Sequence, residues 1–327
     1  MRRAFLSGAT GFLGQHMVDV LLEDDWQVTA LCRDLSKAQP LVERGVDVRQ
    51  GAIENEADVA SAMSEGLDAV FHMAANTSTW RGDRERQFAT NVDGTRNMLK
   101  AAAARGAQRF VHTSSTAVYG HHEGLKTEEN AQLGSRSKVG YVKSKWLAEQ
   151  LVKEAAAKGQ SSVVLNPGHI IGAYDTHNWA RMFFFVNQGK LPGIPPGGGS
   201  FANAREVAAG HLAAVERGDP GENYFLGGPR HSFLEVLTVI GQLLDKPIPK
   251  RTTPKALLLA LGYLGDFVSR FTRKEPKISP EAAYFLCNDD YMDSTKAVRA
   301  LDYKEVPVED SLAQSLHWLR ANGLLPR

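Results

Sequence analysis

Arg3-Ala4-Phe5-Leu6-Ser7-Gly8-Ala9-Thr10-Gly11-Phe12-Leu13-Gly14 stands at the start of the sequence. Its first five residues read as a short buried strand. Gln15-His16-Met17-Val18-Asp19-Val20-Leu21-Leu22 follows with the spacing of an amphipathic helix. Strand, glycine-rich turn and helix together make a phosphate cradle. Gly8 permits the tight turn, Gly11 lets the backbone approach a pyrophosphate, and Gly14 lets the helix sit close to the sheet. The free N–H groups of the first helical turn, with the helix dipole, then favour an anion. The stretch predicts a dinucleotide site.

Working outward, Trp26–Cys32 predicts a second strand, ending Cys32-Arg33 with Asp34 and Lys37 beyond. An enzyme selective for NAD usually places an acid there to hold the ribose hydroxyls. A guanidinium instead pairs with a 2′-phosphate, which a carboxylate would repel. Arg33 therefore predicts NADP(H) over NAD(H). Val46–Gln50 and Asp68–Ala75 predict the third and fourth strands, with Gly51-Ala52-Ile53 after the third. The small residues Ala74 and Ala75 suit close approach to a cofactor, and His72 reads as a packing residue at a strand end. Gln87–Arg105 predicts a long helix that contains Gly94. A helical glycine costs about 1 kcal/mol relative to alanine, which close packing against the sheet would offset.

Arg109–Thr116 predicts a fifth strand running into hydroxyl residues, at the end of a parallel strand where ligands bind. Tyr141 and Lys145 open the next helix four positions apart and so share a face. A cation beside a phenol favours phenolate and lowers a pKa that is ordinarily about 10. Such a phenol can move a proton near neutral pH. Ser161–Leu165 predicts the sixth strand, followed by Asn166-Pro167-Gly168. Beyond it the pattern changes. Trp179–Asn187 is aromatic, Leu191–Ser200 reads as loop with three prolines and four glycines, and Arg205–Arg217 and Glu222–Leu226 read as helix and strand. Helices dominate the remainder. The alternation predicts an α/β fold, a doubly wound parallel sheet with a smaller, mainly helical C-terminal substrate region. Residues 1–165 form the dinucleotide-binding unit, to which 202–226 return; 166–201 and 227–327 form the substrate region.

Bulk properties narrow the function class. The chain has 327 residues, 38 basic and 37 acidic, with 43% hydrophobic and 23% charged. That is an ordinary globular composition, and its overall charge gives no reason to expect nucleic acid. Two cysteines, Cys32 and Cys287, offer neither a disulfide framework nor metal-ligand spacing, so no metal is expected. Arg2 and Arg3 ahead of apolar residues resemble a signal-peptide opening, but the apolar stretch stops at Leu6. No apolar run approaches the ~20 residues that span a bilayer. The expected location is cytoplasmic. Leu257–Phe271 is an apolar helix, either a lid over substrate, the preferred reading, or a surface for a membrane or partner.

The cradle, His72-Met73-Ala74-Ala75, Asn91-Val92-Asp93-Gly94-Thr95, Ser114-Ser115 and Tyr141-x-x-x-Lys145 occur in that order. Together they resemble the extended short-chain dehydrogenase/reductase superfamily, the NAD(P)-dependent epimerase/dehydratase family. Asn166-Pro167 and Tyr291–Ala297 are most similar to its dihydroflavonol 4-reductase-like and 3β-hydroxysteroid dehydrogenase-like members. The resemblance implies Tyr141 as general acid/base. Lys145 would bind the nicotinamide ribose and tune the phenol, and Ser115 would orient the substrate oxygen. It implies a cofactor set of Gly8, Thr10, Gly11, Phe12, Leu13, Gly14, Arg33, Ile53, Ala74, Ala75, Tyr141, Lys145, Asn166 and Pro167. The cofactor carries the hydride chemistry, and the protein supplies geometry and pKa tuning.

Two departures qualify the match. The family's Gly-Asp-Leu after the third strand is Gly51-Ala52-Ile53 here, leaving the backbone of Ile53 to meet adenine. The Arg-Asp-Phe with which nucleotide-sugar members hold a substrate diphosphate is Gly199-Ser200-Phe201. Losing that cation removes a charge-assisted contact. Trp80, His121, Trp179, Phe183 and Phe201 are the candidate substrate residues, and an apolar or aromatic carbonyl compound is the expected small-molecule substrate. The alternatives are a nucleotide-sugar epimerase or dehydratase, and a non-catalytic nucleotide sensor. Gln87–Arg105 and Tyr141–Lys158 resemble the helices through which family members form homodimers.

Overall fold

The computed structural model describes residues 1–326. Its strands are β1 (Arg3–Ser7), β2 (Gln27–Cys32), β3 (Asp47–Gln50), β4 (Ala69–His72), β5 (Arg109–Thr113), β6 (Ser162–Pro167), β7 (His169–Ile171), β8 (Gly198–Asn203), β9 (Asn223–Leu226), β10 (Arg230–Ser232) and β11 (Asp289–Asp290). Seven of them form a sheet in the order β3-β2-β1-β4-β5-β6-β9, with every neighbouring pair parallel. The helices are α1 (Phe12–Glu23), α2 (Gln39–Glu43), α3 (Glu56–Ala62), α4 (Arg84–Phe88), α5 (Gly94–Ala104), α6 (Gly140–Ala157), α7 (Ala180–Asn187), α8 (Ala204–Arg217), α9 (Phe233–Leu244), α10 (Lys255–Thr272), α11 (Pro280–Leu286), α12 (Thr295–Leu301) and α13 (Val308–Ala321).

The central strands are buried over most of their length because layers cover both faces. Met17, Leu21, Leu6, Val207 and Tyr224 pack in one cluster with α1 and α8, while Phe5, Val70, Met98, Phe110 and Val152 pack in another with α5 and α6. The sheet order changes direction between β1 and β4. This switch point opens a crevice at the carboxyl ends of the strands, where the glycine turn, the residues after β4 and the hydroxyls after β5 converge.

The expected Gln87–Arg105 helix is present with a defect: α4 and α5 are joined by a π turn over Ala89–Asp93. Asn91 explains what that turn achieves. Its amide donates to Asn76 O (2.9 Å) and Ser144 Oγ (2.9 Å), and its carbonyl accepts from Asn76 N (2.7 Å). The turn thus ties the loop after β4 to α6. At Gly94 a Cβ would meet Ile53 Cδ1 at 2.7 Å, so the helical glycine is required by contact with the chain after β3.

One expectation is corrected. The proline- and glycine-rich stretch before Phe201 ends in strand, not loop: β8 pairs with β7, β10 and β11 in a second sheet. Glycine serves there because a Cβ on Gly198 would lie 2.6 Å from His231 O. Helix α10 turns Gly262, Asp266 and Ser269 inward and leaves Leu257, Leu261, Tyr263, Leu264, Phe267, Val268 and Phe271 exposed. No helix among the described residues is long and apolar enough to cross a membrane.

Candidate active site

The cradle is built by glycine contacts. Gly8 has φ +84°, and a Cβ on it would sit 2.7 Å from Ala74 N. A Cβ on Gly14 would lie 2.0 Å from Gly8 O, whereas one on Gly11 meets only Gly8 O, at 3.2 Å. The protein itself therefore excludes side chains at Gly8 and Gly14. Gly11 has room in the protein alone, so its bareness points outward, toward a ligand. Gly11 is the N-cap of α1 and no side chain caps the helix. The N–H groups at Phe12, Leu13 and Gly14 therefore stand at an uncapped helix start, which suits a pyrophosphate.

A cleft of about 210 Å³ opens beside the cradle, lined by Gly8, Thr10, Gly11, Arg33, Ile53, Ala74 and Ala75 among others. Seven expected cofactor residues from four separate loops thus meet at one place. Phe12, Leu13 and Gly14 do not line it; they form the helix start behind. Glu54 and Thr90 line the cleft and were missed. Thr90 Oγ1 donates to Glu54 Oε1 at 2.5 Å, and Arg33 Nη1 lies 3.8 Å from the same oxygen. Arg33 is otherwise solvent-exposed, so its guanidinium is free to turn toward an anion.

The catalytic candidates lie along the same edge of the sheet. Ser115 follows β5 and accepts a hydrogen bond from Ala117 N at 3.2 Å. Tyr141, at the start of α6, stands near enough to the Ser115 hydroxyl for it to act on the phenol's pKa. Lys145, one turn on, is buried and donates to Thr113 O at 2.6 Å. Burial lowers the Lys145 pKa to about 8, with the Glu149 carboxylate opposing the shift. Tyr141 corrects an expectation: its pKa is raised, not lowered. Burial is the largest cause, the nearby Ser115 hydroxyl acts against it, and the Asp290 charge adds to it. Lys145 is committed to the Thr113 carbonyl and does not relieve the phenol.

Behind this trio lies an acceptor that sequence reading missed. Glu149 is fully buried and accepts from Ser114 Oγ (2.6 Å), Asn166 Nδ2 (3.0 Å), Asn223 Nδ2 (2.7 Å) and Gln132. Asn166 also donates to Ser115 O at 3.2 Å, and Pro167 O accepts from Thr116 Oγ1 at 3.4 Å. Asn166 and Pro167 therefore brace the loop carrying Ser115 and are not in the cleft lining.

His72 belongs to the frame. Thr95 Oγ1 donates to Asn91 O (2.7 Å), so it accepts from His72 Nε2 (2.9 Å); Ser7 Oγ then donates to His72 Nδ1 (2.7 Å). This neutral ring joins β1, β4 and α5 directly beneath the cradle. Burial holds its pKa at about 3 and that of His211 at about 4, and drives His112 well below the ordinary value. Unfolded, all three titrate near 6.5, so on acidification the unfolded chain takes up protons that the folded one refuses. The stability these rings confer is complete above about pH 7 and falls as the pH drops toward 4, by about 2 kcal/mol per ring at pH 5. Urea midpoints at pH 7.5 and 5 should show a large loss; a flat profile would contradict it.

The substrate candidates separate into two groups. Trp80, folded over Gly82, and exposed His121 sit on the loops after β4 and β5. Trp179 is half-buried before α7. Phe183 and Phe201 are core: both are almost fully buried, with Val236, Leu237 and Leu312 in one cluster. Their helix and strand faces point into that cluster, which corrects their expected place in a pocket. His169 was missed. Its ring stacks on Phe201 at 5.2 Å, meets Trp179 edge-on at 5.7 Å, and occupies the space a Cβ on Gly199 would need. No local pattern announces it; its position depends on β7 pairing with β8.

The NAD dependent epimerase/dehydratase family model matches residues 4–227. A protein of Synechocystis sp. named "Putative dihydroflavonol 4-reductase" is 33% identical over 98% of this chain and 95% of its own. The "4-hydroxy-2-methyl-3-oxo-4-farnesyl-3,4-dihydroquinoline-1-oxide ketoreductase" of Stigmatella aurantiaca is 31% identical over 92% of this chain and 91% of its own. The solved structure of gox2253 superposes with TM-score 0.85 at 26% identity, covering 99% of each chain. The chain belongs to the NAD-dependent epimerase/dehydratase family. It is an NAD(P)-dependent oxidoreductase of the extended short-chain dehydrogenase/reductase type.

Proposed function

We propose that the protein is an NADP(H)-dependent reductase or dehydrogenase interconverting a carbonyl and an alcohol on an apolar or aromatic small molecule. The observation that carries the reading is the closeness of Tyr141 to the Ser115 hydroxyl, with Lys145 one helical turn on, at the sheet edge that also holds the cradle. The nicotinamide, when bound, supplies or accepts the hydride. Tyr141 delivers or removes the proton at the substrate oxygen, its raised pKa keeping it protonated and ready to donate at neutral pH. Ser115 orients that oxygen. Lys145 is placed to exchange the Thr113 carbonyl for a ribose hydroxyl and to hold positive charge beside the phenol.

An apolar substrate is favoured over a nucleotide sugar. Gly199 offers no charged side chain to a diphosphate, and the imidazole of His169 fills the space beside it. The Stigmatella relative is named for reduction of a farnesylated ketone, in keeping with such a site. Purified protein given an aromatic or terpenoid ketone should consume NADPH stoichiometrically; an epimerase would consume none. Arg33→Asp tests the cofactor preference. Loss of a charge-assisted contact of about 1.5–3 kcal/mol should raise the KM for NADPH by about tenfold to a hundredfold and leave that for NADH little changed. Equal effects on both would refute the assignment of Arg33 to a 2′-phosphate.

A further inference from the structure

Helix α10 is built inside out. Its inward face is small and polar. A Cβ on Gly262 would lie 3.1 Å from Ser279 O, Asp266 pairs with Arg270 at 3.0 Å, and Ser269 is buried. Its outward face carries leucines, Tyr263, Val268 and two phenylalanines, with Phe271 75% exposed and Phe267 58% exposed. Phe267 and Phe271 stand one turn apart with ring centroids at 5.2 Å, forming one continuous apolar ridge. Single exposed apolar side chains need no explanation, but a contiguous ridge of this length marks an interaction surface.

Charge identifies the occupant. Between residues 250 and 277 the sequence has seven Lys or Arg and two carboxylates, although the whole chain is nearly balanced at 38 to 37. Lys250, Arg251 and Lys255 stand exposed at the start of the helix; Arg270, Arg273, Lys274 and Lys277 stand exposed at its end. One of the two carboxylates, Asp266, is turned inward. Two copies pairing through this ridge would set basic ends against basic ends whether the helices ran parallel or antiparallel, which opposes association. A flat anionic surface with an apolar interior satisfies the ridge and both ends at once.

We propose that α10 is an interfacial helix that docks the protein on anionic lipid membranes, lying in the plane of the surface with Leu264, Phe267 and Phe271 among the acyl chains. The inward side of α10 is braced on the loop after β4. Arg81, directly after Trp80, donates to Glu281 Oε1 of α11 at 2.9 Å and lies 3.8 Å from Asp266, while Ser279 Oγ donates to Thr79 Oγ1 at 3.2 Å. The loop after β4 therefore stands on the same support as the docking helix.

Sedimentation of the full chain with sucrose-loaded vesicles tests this without reference to catalysis. Vesicles of phosphatidylcholine plus phosphatidylglycerol should bind the protein at least about tenfold more strongly than phosphatidylcholine alone, and raised salt should weaken the difference. The pair Phe267→Ser/Phe271→Ser and the pair Arg273→Glu/Lys274→Glu should each reduce binding by about tenfold or more. Both alter exposed positions, and an unchanged melting transition will confirm folding; if the serine pair unfolds, the charge-reversal pair decides. Three results would overturn the proposal. One is no binding to either vesicle. A second is equal binding to both, indifferent to charge reversal. The third is a dimer seen by light scattering that the serine pair dissolves while vesicles bind nothing.

Discussion

Tyr141→Phe is expected to lower kcat by about a hundredfold to ten-thousandfold, the range that a positioned proton donor contributes. Only the hydroxyl is removed, so the ring continues to pack at the start of α6 and the fold is retained. Ser115 keeps the bond from Ala117 N. NADPH affinity, followed by fluorescence, should change little, because the cradle and Arg33 are untouched. The signature is therefore a collapse of turnover at nearly constant cofactor binding. Loss of both together would mean that the phenol is structural, and retained turnover would remove it from the chemistry altogether.

The second large effect is a contrast within the glycine turn. Gly14→Ala forces a Cβ to within 2.0 Å of Gly8 O, a backbone atom that cannot swing aside. Helix α1 must then move off the sheet, at a cost of about 1–3 kcal/mol or more. Because its N-terminus is the proposed anion site, cofactor binding should fail as well. Gly11→Ala meets only the milder 3.2 Å approach. It should melt within a few degrees of the parent yet bind NADPH at least about tenfold more weakly, since the added methyl occupies the line along which a pyrophosphate approaches. Differential scanning calorimetry with cofactor titration separates the two. If both variants fall in stability alike, Gly11 is there for the protein and not for the ligand.

The first six strands, the glycine turn and the Tyr141–Lys145 pair were legible because each is a local signal: an apolar run, a turn composition, a spacing of four. Much that completes the site was not. Gly198 and Gly199 suggest loop by composition, yet they are strand because β7, β10 and β11 crowd that backbone from three sides. Glu54 and His169 reach their places through pairings between distant segments. Phe183 and Trp179 both read as pocket rings, but only the tertiary packing of α7 decides which one is enclosed. The phenol of Tyr141 shows the same limit in electrostatic form. Sequence supplied the neighbouring cation, while burial, which sequence does not specify, set the direction of the shift.

The carboxylate of Glu149 has a consequence for how the molecule comes into being. It accepts hydrogen bonds from Ser114 after β5, Gln132 in the following loop, Asn166 on β6 and Asn223 on β9. The last of these is made by the ribosome long after the others. A nascent chain that ends short of residue 223 holds a charged group in its interior with an incomplete set of donors, a state that costs several kcal/mol to enclose. The nucleotide-binding half therefore cannot close ahead of the rest. Its completion waits on β9, and a fragment cut at the visible seam after β6 should remain an open, protease-sensitive intermediate.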